Sequence, residues 1–243
     1  MADEEQQVSI KVWDGPVRVV HWAMVLLFVV QVVSGKMGGD MMPLHVFSGY
    51  AMIVLVVFRL IWGFVGSTHA RFASFIAGPA ATLRFARRLF SRQAVPQVGH
   101  NPLGGWSVIA MLLSLALQVA SGLFANDGAA VEGPLASLVS FEVSTVLSEF
   151  HRWNLKLLLV LSAIHVGAVF FHLFVKRDNV LGAMFTGVRR VPPSVVRERR
   201  VALRDSPRRR AASREAESAY FPGPWRGVWV LAVTLALVYL LVR

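Results

Sequence analysis

The chain has 243 residues, 55% of them hydrophobic and 16% charged, with a mean hydropathy of +0.56; a soluble domain carries about 25% charged residues, so this is a membrane protein. Its net charge of +11 raises nucleic acid as a partner, but the charge is gathered in particular loops, and that excludes it. There is no cysteine, which excludes disulfides, thiolate metal sites, iron–sulfur clusters and covalently attached c-type haem.

Residues 1–16 read as a polar tail, and Pro16 belongs in the first turn of the helix that follows. The opening MADEEQQ is acidic and the first apolar run shows no cleavage site, so no removed signal peptide is expected. Apolar runs at Val17–Ser34, Leu44–Val65, Trp106–Phe124, Trp153–Val175 and Gly227–Val242 are each about long enough to cross a bilayer. The reading is five spans, the last the shortest. Between the second and third, ATLRFARRLF at 81–90 sets Leu83, Phe85 and Phe90 among arginines, the pattern of a helix lying at the headgroups. Between the third and fourth, residues 125–150 carry apolar residues at helical spacing after Gly133 and Pro134, which predicts a short surface helix over the outer end of the bundle, above His151. From Arg190 to Ser218 the chain is rich in Arg, Pro and Ser and reads as a disordered linker. The domain reading is therefore 1–16 tail, 17–190 four-helix domain, 191–222 Arg/Pro-rich linker and 223–243 fifth helix. QVVSG at 31–35 and QVASG at 118–122 echo one another, and small residues at such places let helices or a flat cofactor come close.

Charge orients the spans. Between the second and third lie Arg71, Arg84, Arg87, Arg88 and Arg92 with no acid, whereas the segment after the third carries Asp127, Glu132, Glu142 and Glu149. This positive-inside pattern puts the N-terminus in the cytoplasm. The Arg-rich stretch from Arg189 to Arg214 then falls on the cytoplasmic side, where anionic lipid is a sufficient partner and no nucleic acid is needed.

Seven histidines are present, and His21, His45, His151, His165 and His172 lie in or at the edge of apolar spans, where an ionisable side chain is costly and faces the bundle interior. In HRWNLKLLLVLSAIH, His151 and His165 stand fourteen residues apart, so their rings project from nearly one face, roughly 21 Å apart along the axis. Topology places His45 level with His151, and His21 level with either His165 or His172. Two imidazoles facing across a gap in apolar walls suit axial ligation of haem b between helices of a bundle. Zinc or copper would want three or four ligands at one level. Arg59, fourteen residues after His45, should reach the level of His165, where it suits a haem propionate or a snorkelling role. Trp22 and Trp153 read as interfacial anchors.

KVWDGPVRVVHW at 11–22, LHVFSGY at 44–50, RLIWGFVGSTHARFASF at 59–75, GHNPLGG at 99–105 and HVGAVFFHLFVKRDNVLGAMFTG at 165–187 together resemble the successive signatures of the bacterial cytochrome b561 and nickel–iron hydrogenase b-type cytochrome superfamily. The resemblance covers about residues 11–190 and says nothing of the fifth helix. It implies an all-α integral membrane four-helix bundle binding two haems b, to which this sequence adds a C-terminal fifth transmembrane helix. It also implies haem ligands at His21 with His165 and at His45 with His151, and a non-ligand role for His172. His69 and His100 fall in the family's cytoplasmic loop, with capping or loop bonding as their role.

The function this supports first is electron transfer across a bacterial inner membrane through two b haems, between quinone or quinol and a periplasmic redox partner. The acidic outer segment would suit a basic partner such as a small c-type cytochrome. A second reading is the membrane-anchor cytochrome b subunit of a hydrogenase-like respiratory enzyme, with residues 125–150 as the docking surface. A third is a quinone oxidoreductase reacting with superoxide or another small oxidant at the outer haem.

Overall fold

The structure is a computed structural model and describes residues 7–89, 99–128, 131–191, 193 and 220–242. The disordered-linker reading for Arg190–Ser218, and Phe90 of the amphipathic run, lie almost wholly or wholly outside the described residues. The chain is mostly helical, with four helices long and apolar enough to cross a membrane. These are α1 (Gly15–Met37), α2 (Met42–Val65), α5 (Pro102–Leu123) and α6 (Phe141–Phe170); α6 continues through a π-helical turn, Phe171–Val175. Shorter elements are β1 (Val8–Lys11), α3 (Phe72–Phe75), α4 (Pro79–Arg88), α7 (Val180–Thr186) and β2 (Val188–Val191), and the last helix is α8 (Pro224–Val242).

The backbone falls into two compact units. One comprises 19–61, 108–165 and 223–243, and the other 1–18, 62–107 and 166–222. The first is a bundle made from the apolar lengths of the long helices. At its centre Met52 and Val56 of α2, Leu115 of α5 and Leu158 of α6 are buried together, with Met24, Leu27 and Phe28 of α1 against them. A second cluster joins Ile53 of α2 and Leu123 of α5 to Val238, so α8 packs on this bundle as well. The large apolar side chains left exposed, such as Leu26, Val160, Ile164 and Trp229, face outward as lipid-facing positions should.

The second unit is built by the segments that flank the spans. β1 pairs antiparallel with β2, Val8 opposite Val191 and Lys11 opposite Val188. This two-stranded ribbon was not expected from residues 1–16, and it ties the tail to a segment about 180 residues away. Gly187, at φ +81°, ends α7 in the left-handed conformation, and a Cβ there would lie 2.8 Å from Trp13 O. Only glycine fits both demands. Tyr220 pairs with Thr68, its N–H donating to Thr68 Oγ1 at 2.9 Å.

The predicted surface helix over His151 is corrected. Residues 136–138 make one 3₁₀ turn, and from Phe141 the helix runs unbroken into α6. The reason is local: no Gly or Pro occurs between Phe141 and Ile164, so nothing ends the helix before the membrane span. The preceding loop is instead fastened to its side. Asn126 N–H donates to Ser148 Oγ at 2.8 Å, Ser148 Oγ donates to Asn126 O at 3.0 Å, and Ser144 Oγ donates to Phe124 O at 2.6 Å. Both serines are buried on one stripe of α6 with Asn154 and Leu158.

Asp14 starts α1. Its Oδ1 accepts from Val17 N–H at 2.7 Å, an N-cap, while Oδ2 accepts from the fully buried Trp62 indole N–H at 3.0 Å. Losing a cap costs about 1 kcal/mol and an orphaned buried donor about 1–3. Asp14→Ala should therefore destabilise the detergent-solubilised protein by roughly 2–4 kcal/mol, and Asp14→Asn, which keeps an acceptor oxygen, by clearly less. Denaturation monitored by helicity measures both.

Candidate functional site: paired histidines in the bundle

Four of the histidines meet inside the first unit. The rings of His21 on α1 and His165 on α6 stand 6.4 Å apart between centroids, and those of His45 on α2 and His151 on α6 stand 6.2 Å apart. Two rings sharing an N–H···N hydrogen bond end to end would bring the centroids to roughly 5.2 Å. A metal ion between two imidazole nitrogens, about 2 Å from each, puts them roughly 6.3 Å apart. Both pairs fit the second spacing. Among the described residues no cluster of three or more His, Cys, Asp or Glu could hold a metal, so the donor set is two imidazoles per level, as axial ligation of a porphyrin iron requires.

The tautomers of the second pair are settled by what surrounds them. His45 Nδ1 lies 3.1 Å from Gln31 O, and His151 Nδ1 lies 3.0 Å from Gln118 O. A carbonyl only accepts, so Nδ1 carries the proton in both rings and Nε2 keeps the lone pair for a metal. Between the two levels lies the apolar cluster of Met52, Val56, Leu115 and Leu158. Leu158 stands seven residues from each α6 histidine, or about 10 Å along the axis.

Arg59 is buried, 8% exposed, on the α2 face that carries His45. It stands fourteen residues beyond His45 on α2, as His165 stands fourteen beyond His151 on α6, roughly 21 Å along the axis in each. Trp22 meets the His21 ring edge to face at 5.2 Å, whereas Trp153 points outward with Lys156 Nζ 3.7 Å over its ring.

The remaining histidines belong to the other unit. His69 is buried beside Gly99, and the His100 ring lies 4.7 Å from both Trp13 and Phe75. His172 sits in the π-helical turn, with Nδ1 3.5 Å from Asp178 Oδ2 and Nε2 3.5 Å from Asn101 Nδ2. The Arg189 guanidinium donates to both carboxylate oxygens of Asp178. Sequence reasoning missed this cluster; its signals were an acid six residues beyond His172 and an arginine on what turns out to be β2.

These geometries coincide with a family match. A profile for prokaryotic cytochrome b561 matches residues 12–187, most of the chain. The chain belongs to the prokaryotic cytochrome b561 family. Membership implies haem b as the cofactor, and the facing imidazoles are the groups here that fit it. This cytochrome is also similar to a probable Ni/Fe-hydrogenase B-type cytochrome subunit of Rhizobium leguminosarum bv. viciae, 23% identical over 76% of this chain and 90% of that one. A probable Ni/Fe-hydrogenase 1 B-type cytochrome subunit of Escherichia coli (strain K12) is 24% identical over 75% and 91%. A probable Ni/Fe-hydrogenase B-type cytochrome subunit of Rhodobacter capsulatus is 25% identical over 76% and 82%. No solved structure matches the chain.

The surroundings of Asp178 predict a fold that is sensitive to acid. Burial opposes the ionised carboxylate, but the His172 side chain and the Arg189 guanidinium outweigh burial and hold its carboxyl below the usual carboxylate range. Stabilisation from a carboxyl held down in this way is fully present above the ordinary value, about pH 4, and is lost as pH falls through the depressed folded value. Thermal melting between pH 7 and pH 3 should show this loss in the wild type. Asp178→Asn should melt lower at pH 7 and change less with acid.

Proposed function

We propose that this chain is the membrane-embedded cytochrome b subunit of a multi-subunit respiratory oxidoreductase, holding two haems b per chain. In this reading it carries electrons across a bacterial inner membrane between a redox subunit docked on one face and the quinone pool. The observation that carries it is the pair of facing imidazole sets, 6.2 and 6.4 Å between centroids, at two levels of one bundle. His21 with His165 and His45 with His151 are the proposed axial ligands, with Arg59 as a partner for a haem propionate at the first level. When bound, the haems supply one-electron chemistry; the protein supplies ligands, an apolar medium and orientation.

The relatives' names favour a subunit of a larger enzyme over the free carrier that the sequence alone put first. Hydrogenase is the kind of partner those names supply. The free carrier keeps one supporting observation: the acids Asp127, Glu132, Glu142 and Glu149 on the segment at the His151 end, which suit a basic soluble partner such as a c-type cytochrome. Affinity capture of the full chain from its native membrane distinguishes the readings. A retained catalytic subunit supports the first, and a haem protein isolated alone that is oxidised by cytochrome c supports the second.

The haem assignment has a direct test. Purified protein should contain two acid-extractable b haems, low-spin in both oxidation states. His21→Ala and His165→Ala should each remove one and the same haem, and His45→Ala and His151→Ala the other, while His172→Ala keeps both. One haem per chain, or loss of a haem only in His172→Ala, would overturn it.

The charge pattern supports an N-terminus in the cytoplasm, with anionic lipid at the Arg-rich face. Four crossings then return the chain to the cytoplasm. Helix α8, 19 residues or about 28 Å long, packs Val238 against Ile53 and Leu123, as a fifth crossing helix would. A periplasm-dependent reporter fused after Arg243 should be active. Activity of a cytoplasm-dependent reporter there would mean that α8 does not cross. Truncation after Arg190 should leave both haem spectra intact, because α8 carries no histidine.

A further inference from the structure

The echo between QVVSG and QVASG has a counterpart in the bundle. Gln31 Nε2 donates to His45 O at 2.7 Å while Gln31 O accepts from His45 Nδ1 at 3.1 Å. Gln118 does the same for His151, at 3.1 and 3.0 Å. Each glutamine thus holds one histidine twice, the main chain by its amide and the ring by its carbonyl. The serine three residues on stands beside the same nitrogen, Ser34 Oγ at 3.3 Å from His45 Nδ1 and Ser121 Oγ at 3.2 Å from His151 Nδ1. Both hydroxyls donate elsewhere, to Val30 O and to Gln118 O, so toward the ring they present lone pairs. The glycine after each serine makes room. A Cβ at Gly35 would lie 2.9 Å from His45 Cε1, and one at Gly122 would lie 3.0 Å from His151 Cε1. The glutamine side chains are themselves held. Gln31 also donates to Ser48 Oγ, and Gln118 Oε1 accepts from Asn154 Nδ2, both at 2.7 Å.

We infer that Gln31, Ser34 and Gly35, and in parallel Gln118, Ser121 and Gly122, are positioning residues that fix the tautomer and orientation of His45 and His151 and so set the reduction potential of the haem these two hold. The inference rests on the two-haem reading. An acceptor on Nδ1–H makes the imidazole a stronger electron donor through Nε2, which favours the ferric state and lowers the potential. At this level both axial ligands are backed in the same way, so the effects add. Among the described residues the rings of His21 and His165 make ring contacts but no hydrogen bond of this kind. The two haems are therefore tuned separately.

The test is a redox titration with low-temperature EPR on the full-length, haem-loaded protein. Ser34→Ala and Ser121→Ala each remove one ring acceptor with almost no change in volume. Each should retain two haems and move one of the two reduction steps to higher potential, the step that disappears in His151→Ala, while the step tied to His21 stays in place. Ser121→Thr keeps the hydroxyl and should return the titration to wild type. Gly122→Ala improves helix propensity, so a change there reports the crowded ring rather than a weakened helix. It should alter the EPR signature of that same haem or expel it. A wild-type protein with fewer than two haems would overturn the two-haem reading itself. Two haems in the wild type, with both steps unmoved in the serine variants or with movement only in the step tied to His21, would overturn this inference alone.

Discussion

An imidazole inside an apolar bundle has two ring nitrogens and no water to satisfy them, and the arrangement of this membrane core follows from how each nitrogen is used. A buried polar group without a partner costs a few kcal/mol, so four histidines facing inward are tolerable only if their nitrogens are engaged. For His45 and His151 one nitrogen goes to a main-chain carbonyl of the neighbouring helix. A helix carbonyl already accepts an intrahelical bond, but its second lone pair is free. The helix that needs least disturbance is therefore the adjacent one, reached only where small residues let the ring come close. This is why Gly35 and Gly122 sit where they do. The other nitrogen keeps its lone pair, and the spacing between facing rings, 6.2 and 6.4 Å between centroids, leaves room for a metal ion between them.

Separation matters as much as pairing. The cluster around Leu158 draws side chains from all four long helices and fills the space between the two levels with groups that neither carry charge nor bind water. A low-dielectric medium strengthens the influence of fixed charges and dipoles on any redox centre held within it.

Much of this was legible in the sequence, and what was not has physical reasons. The four long helices followed from runs of apolar residues, and the facing of His21 with a residue of the fourth span followed from alternating topology. Fourteen-residue spacing on one helix is geometry a reader can do without a structure. The pairing of β1 with β2 was out of reach, because four-residue strands carry almost no pattern and the partner lies at the far end of the family region. The union of the 141–150 segment with α6 could have been read from the absence of a helix breaker, but the need to cover a long connection argued for a separate helix. The Asp178 cluster was hidden for another reason. Its members come from three stretches, around Asn101, from His172 to Asp178 and at Arg189, that converge only once the chain is folded. The QVxSG echo was visible as letters, whereas its meaning required knowing which ring each glycine faces.

Comparing the two hairpins α1–α2 and α5–α6 shows where the echo holds and where it breaks. Gln31 and Gln118 correspond, and so do His45 and His151, each backed by the glutamine of its own hairpin. Fourteen residues further along, His165 on α6 corresponds to Arg59 on α2; ten residues before each glutamine, His21 on α1 corresponds to Val108 on α5. One level is thus nearly symmetric, with matched histidines and matched backing. At the other, the histidine of one hairpin is a buried arginine in the other, and the second imidazole comes from α1. In the proposed two-haem arrangement the symmetric level would hold its cofactor between equal partners, and the other would hold it across the bundle between α1 and α6, with the buried Arg59 of α2 suited to the anionic groups of the cofactor.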